Sequence, residues 1–422
     1  WPQVGSHLQH SFGIWPALID DKTTVLEYEP SRRLVIQPSG WPIGEARVAV
    51  EVQPHRRGCV VRISEKAVKG PGDAPPTRLH RRGEGGQRRR PHRRMSEVDA
   101  VVVGSGPNGL AAAVTLARAG LSVRVFEGAE TIGGGARTME LTLPGFHHDV
   151  CSAVHPMALA SGFFRSFRLQ DRVELRVPEV SYGHPLDGGR AGIAYRDIER
   201  TVESLGRDGA AWRSLMGPLA EHADAVARFA GSPIVRIPRN PITVARFGLR
   251  ALEQGLPTWN LRFRERVAPA MLTGVAAHSI RRMPSLATAG AGLSLGAYAH
   301  GRGWPIPVGG SQAIIDAMAD DLRAHGGEIV TNAPIADIEE VHGAKAVLFD
   351  TSARALRDIA GDRLPDGYVR RLDRFRYGNA VAKVDFALSG PVPWTNEELR
   401  KAGTLHVGGN REEIAAAEAE VA

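Results

Sequence analysis

Cysteine is scarce in this chain, and the two cysteines it has, Cys59 and Cys151, lie far apart in the sequence. They supply neither a disulfide framework nor the ligand set of a metal cluster, so no metal site is predicted. Long hydrophobic runs are missing as well: none could span a bilayer, and the N-terminus lacks the layout of a signal peptide. These absences predict a cytoplasmic protein, and its 422 residues are enough for two or three domains.

Acidic side chains are almost missing from one stretch, which accounts for the net charge of +7. Between Thr77 and Arg94, eight arginines accompany a single acid, Glu84, so this segment alone carries the excess positive charge. No aromatic residue is interleaved there to stack on nucleic-acid bases. The composition favours a solvated, disordered linker at 71–94, with an arm that contacts nucleic acid or anionic lipid as the alternative.

Sequence patterns of several enzyme classes are also missing. There is no G-x-S-x-G nucleophile elbow and no C-x-x-C redox pair. The histidines between 147 and 300 do not follow the helical H-x-x-x-H spacing of a metal site. No nucleophile or acid–base constellation is evident, and no catalytic residue is predicted.

What the chain does contain, between Asp99 and Thr138, is the set of parts that makes a dinucleotide-binding unit. An apolar strand is followed by a G-x-G-x-x-G turn, an Ala- and Leu-rich helix, and a second strand that ends on an acid. These parts are predicted at Ala100–Val103, Gly104 to Gly109, Leu110–Arg118, and Ser122–Phe126 followed by Glu127. Together they are far more specific than the glycine pattern alone.

Each part of this unit has a physical role in holding a pyrophosphate. Gly104 allows a tight turn, Gly106 lets the backbone approach the pyrophosphate, and Gly109 lets the helix pack against the strand. The helix N-terminus presents free N–H groups and the positive end of its dipole. Glu127 is placed to accept hydrogen bonds from the adenosine ribose. The prediction is an α/β fold with a Rossmann-like FAD/NAD(P)-binding domain.

A second glycine-rich loop at 132–138 follows the acid and favours FAD over NAD, because NAD dehydrogenases do not need such a loop. Shortly after it comes a G-F-x-x-D segment made by Gly145, Phe146 and Asp149. These motifs together resemble the phytoene dehydrogenase-like FAD-dependent oxidoreductases, which share a broad fold group with the amine oxidases. The resemblance implies FAD as the cofactor and a substrate or cap domain inserted into the nucleotide-binding domain.

The same resemblance assigns further residues. Gly133 and Gly134 match the loop that passes the FAD pyrophosphate and ribityl chain, and Arg137 would replace the arginine that family members often carry at the position of Gly135. Residues 309–311 and the helix after them match another family motif, and Ile335 matches a residue that meets the adenine through its backbone. The candidate cofactor-binding residues are Gly104, Ser105, Gly106, Asn108, Gly109, Glu127, Gly133, Gly134, Arg137, Thr138 and Ile335.

Other segments carry predictions of structure rather than chemistry. His155 follows the loop expected to approach the flavin, yet a packing role is favoured for it over catalysis. Lys383 and Asp385 are interpreted as a solvated pair. Helices are predicted at Arg207–Phe229, Thr243–Gln254 and Leu261–Ala277, a buried parallel strand at Ala346–Asp350, and an alternating strand with a Pro-rich turn at Tyr377–Trp394.

The first 70 residues alternate β-like runs with turn residues and predict an antiparallel meander. They resemble the later sheet of the polyketide-cyclase/START-like (SRPBCC) family, whose helix-grip fold binds apolar ligands, with the gripping helix absent. The five predicted strands are His7–Phe12, Thr23–Tyr28, Arg33–Gln37, Glu45–Gln53 and Cys59–Glu65. The resulting domain prediction is a partial START-like β segment at 1–70, an FAD-binding domain at 95–160 and 305–375, and an incomplete cap domain at 161–304 and 376–422.

The leading functional hypothesis is an FAD-dependent oxidoreductase that moves a hydride from an apolar, isoprenoid or lipid-like substrate to the flavin. The resemblance covers about the first two-thirds of a family member, so a truncated enzyme is expected. The alternatives are a START-like module that binds apolar ligands, fused to an inactive flavoprotein remnant, and the product of a damaged gene. The expected partner is a small apolar substrate; specific nucleic-acid binding is not predicted, and peripheral membrane contact stays open.

Overall fold

The chain divides into two compact units, Trp1–Arg94 and Met95–Ala422. The computed structural model describes residues 3–5, 7–14, 17–29, 32–40, 44–55, 58–69, 98–232, 238–378, 381 and 383–421. The arginine-rich linker predicted at 71–94 lies outside these residues. Each unit is described by itself below.

Five strands of the first unit form one antiparallel sheet, in the order in which they follow one another along the chain. They are β1 (His7–Ile14), β2 (Ala17–Glu29), β3 (Arg33–Gly40), β4 (Gly44–His55) and β5 (Gly58–Lys69). Each strand predicted from the sequence lies within one of these five, so the antiparallel meander is confirmed. The START-like resemblance of this unit stays a prediction.

The second unit mixes strands and helices. Its strands are β6 (Val98–Val103), β7 (Val123–Phe126), β8 (Thr138–Glu140), β9 (His147–Asp149), β10 (Leu175–Arg176), β11 (Val180–Pro185), β12 (Ala191–Tyr195), β13 (Ile306–Pro307), β14 (Glu328–Val330) and β15 (Ala344–Phe349). Its helices are α1 (Pro107–Arg118), α2 (Gly162–Phe167), α3 (Ile198–Ser204), α4 (Gly209–Glu221), α5 (Ala223–Ala230), α6 (Pro241–Gly255), α7 (Val267–Ala276), α8 (Leu286–Gly301), α9 (Gln312–Ala324), α10 (Ala353–Ala360), α11 (Asp366–Asp373) and α12 (Arg411–Val421).

A parallel sheet with strand order β14-β7-β6-β15 organises the nucleotide-binding part of this unit, so the predicted α/β class is confirmed. Helices α1 and α9 bury apolar side chains against it, among them Leu110, Ile315 and Met318. The same cluster contains Phe167 and Val173, so the chain just after residue 161 packs with the sheet. β15 is parallel as predicted but only partly buried, because it forms an edge of the sheet.

Helix α1 begins at the sheet edge for local reasons. Pro107 occupies its first turn, where no N–H is required, and Gly106 before it has an extended backbone. The Ala-rich sequence then costs little conformational entropy in a helix. Gly120, at φ +84°, turns the chain toward β7.

The second large core lies in the part of this unit between the two nucleotide-binding segments. Helices α4, α7 and α8 surround large side chains that are almost fully buried, including Trp212, Met271, Leu293, Tyr298 and Trp304. This cluster is the hydrophobic core of the predicted cap. No helix among the described residues is long and apolar enough to cross a membrane.

Two helix predictions in this region were wrong in extent. The stretch Arg207–Phe229 is broken at His222 into α4 and α5. Pro218 inside α4 has no N–H for the Ser214 carbonyl, and an Arg250 N–H donates to that carbonyl instead (3.3 Å). Four residues after the proline, His222 leaves helical geometry.

Helix α7 begins six residues later than Leu261, where the sequence placed its start. The carboxylate of Asp208 accepts hydrogen bonds from the backbone N–H groups of Arg264 and Glu265, at 2.8 Å each. Those bonds hold the chain in a turn just before the helix. The helix predicted at Thr243–Gln254 is confirmed as α6.

The strand predicted at Tyr377–Trp394 was wrong: the described residues of this stretch form no strand. Its apolar side chains stay exposed, with Val384 at 62% and Phe386 at 61%. A strand requires a neighbour for its backbone N–H and C=O groups, and none of the described residues pairs with this stretch. Alternation of side chains alone could not supply that neighbour.

The carboxylate of Asp321 ties α9 to α1. Arg118 donates to both of its oxygens, from Nε (2.8 Å) and Nη2 (2.7 Å), and Arg172 Nη2 lies 3.1 Å from Oδ1. Asp321 is 4% exposed, whereas the arginines are about one-third exposed. The hydrogen bonds from Arg118 lower the pKa of Asp321 despite its burial.

Replacing Asp321 with Asn is expected to destabilise the second unit by about 2 kcal/mol, since it removes the buried partner of two partly exposed cations. A carboxyl whose pKa is lowered by folding stabilises above its unfolded pKa, near 4, and loses that effect as the pH falls through its folded pKa. The difference between wild type and D321N should therefore shrink below about pH 4. Urea unfolding followed by circular dichroism measures this difference in unfolding free energy. D320N, at the exposed neighbouring residue, is the control. An equal loss of stability in D321N and D320N would contradict the prediction.

Burial of His300 also makes the stability of the fold sensitive to acid. Its Nε2 accepts the Trp212 indole N–H (3.0 Å) and its Nδ1–H donates to the Tyr195 carbonyl (2.7 Å), so the neutral ring satisfies both contacts. Burial lowers the pKa of His300 to about 4. A proton on Nε2 would also remove the bond from Trp212.

Because His300 binds a proton more readily in the unfolded chain, its contribution to stability is present above about pH 6.5 and is lost as the pH falls toward 4. The loss from this residue is expected to be about 3 kcal/mol. Across this pH range, unfolding of H300Q should take up one proton fewer than unfolding of wild type, so its unfolding free energy should depend less steeply on pH. Unfolding free energies measured between pH 4 and 7.5 test this, and an unchanged slope in H300Q would show that the residue is not neutral in the folded state.

Candidate dinucleotide-binding site

Three strands of the parallel sheet end side by side, and the candidate site lies at that edge. Gly104 follows β6, Glu127 follows β7 and Asp350 follows β15. Backbone hydrogen bonds align the ends: Gly104 N–H donates to the Phe126 carbonyl and Asp350 N–H to the Val103 carbonyl, both at 2.8 Å. The carboxyl ends of parallel strands are where open α/β sheets bind ligands.

Glu127 holds the glycine turn in place. One oxygen, Oε2, accepts from the Ser105 backbone N–H (3.0 Å) and hydroxyl (2.5 Å), and Oε1 accepts from the Ala129 N–H (2.9 Å). A carboxylate has about four lone-pair positions, so acceptor capacity remains for ribose hydroxyls. The acid predicted for ribose binding therefore also shapes the turn beside it.

The second glycine loop packs directly on the first. Gly133 N–H donates to the Ser105 carbonyl (3.1 Å), and a Cβ on Gly134 would lie 3.2 Å from the Gly106 Cα. Gly133 itself has φ +118°, which favours glycine at this position. Both predicted glycine loops thus meet at one place.

Arg137 does not point its charge at the glycine turn. Its Nε donates to the Gly134 carbonyl (2.9 Å) and its Nη1 lies 3.4 Å from the Thr131 hydroxyl. The guanidinium thereby braces the second loop. The contact between Arg137 and a phosphate stays a prediction, and it requires the Arg137 side chain to turn.

A hydrogen-bond network continues from the second loop to α9. Asp149 Oδ1 accepts from the Thr138 hydroxyl (2.7 Å) and the Ser311 N–H (2.7 Å), and the Thr138 oxygen accepts from the Gln312 N–H (3.0 Å). His155 Nε2–H donates to the fully buried Ser311 hydroxyl (2.7 Å), which in turn donates to the Ser152 carbonyl. Burial lowers the pKa of His155, so the neutral ring is favoured. The network links three motifs that the sequence presented separately.

Two other predicted residues take different positions. The chain before Ile335 runs beside the loop after β7, since Ala333 N–H donates to the Glu127 carbonyl (2.9 Å) and Asn332 N–H to the Ala129 carbonyl (2.9 Å). Ile335 itself packs against the sheet with Val101 and Val103. Asn108 is exposed in the first turn of α1.

Asp350 is the site residue that sequence reasoning missed. Its Oδ2 accepts the Gly109 N–H at 2.9 Å and lies 2.5 Å from where a Cβ on Gly106 would stand. A Cβ on Gly104 would collide with the carbonyl of Asp350. The signal available in the sequence is an acid at the end of the parallel strand predicted at Ala346–Asp350.

These contacts test how well the site fits FAD. The Cβ-free glycines, the helix start and Glu127 fit the adenosine diphosphate half of the cofactor. One feature does not fit: Gly109 is in the first turn of α1, where free N–H groups would bind a pyrophosphate, and its N–H already donates to the carboxylate of Asp350. The site can therefore hold the adenosine end as arranged, whereas the pyrophosphate requires Asp350 to move.

A separate aromatic cluster lies in the part of the chain predicted as the cap. The rings of Tyr182, His278 and Trp304 surround His406, with ring centroids 5.0–5.9 Å from it. Burial and the neighbouring imidazoles of His278 and His184 lower the pKa of His406 to about 3. Within the described part of the chain, no three acidic, histidine or cysteine side chains are arranged to hold a metal.

Comparison with known proteins identifies the family to which the chain belongs. The sequence profile of the family described as flavin containing amine oxidoreductase matches residues 108–364. A rat protein, pyridine nucleotide-disulfide oxidoreductase domain-containing protein 2, is 24% identical over 69% of this chain, which spans 60% of that protein's length. Cyclohexylamine oxidase from Brevibacterium oxydans is 18% identical, with 66% and 63% of the two chains covered and a TM-score of 0.40. An oxidoreductase from Methanosarcina mazei is 18% identical, with 65% and 64% covered and a TM-score of 0.36.

Removing the Glu127 carboxylate should weaken dinucleotide binding. E127A is expected to bind FAD and ADP at least about tenfold more weakly, since it loses charge-assisted ribose hydrogen bonds and the support of the glycine turn. E127Q should fall between E127A and wild type. Calorimetric titration of the full chain gives the affinities, and E130A, in the same loop but exposed, should match wild type. Equal affinities of E127A and wild type would show that Glu127 does not contribute to dinucleotide binding.

Proposed function

Because the chain belongs to the flavin containing amine oxidoreductase family, we propose that it is an FAD-dependent oxidoreductase of the phytoene dehydrogenase-like kind. It would move a hydride from an apolar, isoprenoid or lipid-like substrate to the flavin. Family membership confirms two predictions from the sequence, the flavin cofactor and the oxidoreductase class. The substrate and the activity of this particular chain are the proposal.

The observation that carries the proposal is the meeting of both glycine loops and Glu127 at one edge of the parallel sheet. Glu127 and the chain before Ile335 would hold the adenosine end of FAD. The glycine turn and Gly134 carry no side chain that would block its pyrophosphate, for which the carboxylate of Asp350 would have to move. Bound there, FAD supplies an acceptor for hydride from a substrate C–H bond, while the protein contributes binding, orientation and electrostatics.

The chain's own residues prepare the site for that role through the network around Ser311. Asp149 fixes the Thr138 hydroxyl and the start of α9 together, so the second loop is held at both ends. His155 donates to Ser311 and stays neutral at physiological pH because burial lowers its pKa. We therefore assign His155 a positioning role, in agreement with the preference derived from its sequence.

Exposed apolar side chains support an apolar substrate. The hairpin of β8 and β9 presents Leu143 at 57% and Phe146 at 41% exposure. The segment that contains Phe386 lies against this hairpin, because His148 Nδ1 is 3.6 Å from Asp385 Oδ1. Apolar surface of this kind marks a place where a ligand, membrane or partner binds. We propose substrate entry here, with peripheral membrane contact as part of the same surface.

The cavity lined by Arg165, Arg196 and Arg302 is less suited to such a substrate. It has a volume of about 640 Å³, and Arg165 and Arg302 share the carboxylate of Asp224. A charged lining does not favour an apolar molecule over water. The proposal therefore places the substrate by the hairpin.

Anaerobic reduction of the FAD-loaded full chain tests the proposal. A long-chain isoprenoid polyene in detergent micelles should bleach the flavin absorbance, whereas a primary amine such as cyclohexylamine should not. L143S and F146S are expected to raise the KM for the polyene several-fold and leave FAD affinity unchanged, because they remove apolar contact area. L261S, at a still more exposed apolar position elsewhere, is the control.

The outcomes separate the parts of the proposal. Bleaching by the amine alone would retain the flavoenzyme and replace the substrate class. A chain that binds no FAD would contradict the proposed activity as a whole.

A further inference from the structure

We propose that Asp350 competes with the FAD pyrophosphate for the N-terminus of α1, so that cofactor binding exchanges one anion for another. The inference rests on the proposed FAD site and adds a residue that neither glycine motif contains. It follows from the position of one carboxylate.

The carboxylate of Asp350 lies beside the glycine turn that is expected to receive the pyrophosphate. Oδ2 is 2.9 Å from the Gly109 N and accepts its N–H. The same oxygen would be 2.5 Å from a Cβ on Gly106, the glycine that lets the backbone come close to a pyrophosphate. In this structure the group that occupies the space beside Gly106 is therefore a side chain of the protein.

Both anions cannot occupy this position together. A helix N-terminus attracts negative charge through its free N–H groups and its dipole, and a carboxylate satisfies it as a phosphate does. A pyrophosphate brought to the same N–H would contact the carboxylate and meet repulsion from a like charge in partly dry surroundings. The pyrophosphate can bind only after the carboxylate has left.

Asp350 can leave without disturbing the sheet. Its backbone is fixed by the hydrogen bond from its N–H to the Val103 carbonyl (2.8 Å), so the strand end stays in place. The side chain is only partly buried, and the residues after it, Thr351 and Ser352, are exposed. A change of χ1 rotamer is sufficient to move the carboxylate off Gly109.

This exchange gives Asp350 two effects of opposite sign. Without cofactor, the carboxylate satisfies an N–H that would otherwise lack a partner at the sheet edge. With cofactor, the same interaction must be broken, which weakens the affinity for FAD. The residue therefore stabilises the cofactor-free chain at the expense of cofactor binding.

Titration of the cofactor-free full chain with FAD, ADP and riboflavin tests the inference, with EDTA present and then with Mg²⁺. D350N and D350A are expected to bind FAD and ADP about tenfold more tightly than wild type, the size of one charge-assisted hydrogen bond. Riboflavin, which has no pyrophosphate, should show no change. D366N, at an exposed acid in the first turn of α11, is the matched control and should bind as wild type does.

Thermal unfolding gives a second readout that does not depend on turnover. D350N without FAD should unfold at a lower temperature than wild type. Saturating FAD should raise the unfolding midpoint of D350N by more than it raises that of wild type.

Equal FAD and ADP affinities in wild type and D350N would overturn the inference and leave the FAD site intact. Weaker binding by D350N would overturn it as well. A gain in affinity with Mg²⁺ that the wild type shows and D350N lacks would also overturn it, because Asp350 would then be a ligand of a bridging cation. If neither wild type nor D350N bound FAD or ADP, the inference and the proposed FAD site would fail together.

Discussion

A helix that begins directly at the end of a β-strand leaves backbone N–H groups facing the sheet edge, and the nucleotide-binding part of this chain depends on satisfying them. Two acids do so from different strands. Glu127 accepts the Ser105 N–H just before α1, and Asp350 accepts the Gly109 N–H inside its first turn. The second glycine loop then packs on the turn that these acids hold. The shape of the site thus follows from pairing those N–H groups, before any cofactor is considered.

The parts of the site that could be predicted are those encoded within about 40 residues. The strand, glycine turn, helix and acid from Ala100 to Glu127 each follow from local pattern, and the second loop comes directly afterwards. Asp350 lies 241 residues from Gly109, and Ser311 lies 162 residues from the Asp149 that binds its N–H. Such pairs depend on which strands become neighbours, and periodicity within one segment does not contain that information. The order β14-β7-β6-β15 supplies it.

The wrong predictions of helix and strand bounds have the same origin: they depend on tertiary partners that the local sequence pattern does not contain. Helical spacing continued through Pro218 and His222, but the backbone leaves helical geometry at His222, four residues after the proline. The residues after Leu261 have helix-forming side chains, yet the Asp208 carboxylate holds their N–H groups in a turn. The stretch around Phe386 alternates as a strand does, and only a neighbouring strand could have made it one. Local propensity set what each segment could form, and tertiary partners decided whether it formed.

The edge position of β15 has a consequence for how the molecule behaves among its own copies. Among the described strands, β15 has a neighbour on one side, so its outer backbone groups could in principle pair with a strand from another molecule. Lys345, the second residue of this strand, is 82% exposed at its side chain, and its Nζ lies 2.7 Å from Asp99 Oδ1. A strand added at this edge would crowd that ammonium group and strip it of water. The charge therefore opposes sheet-to-sheet association along this edge.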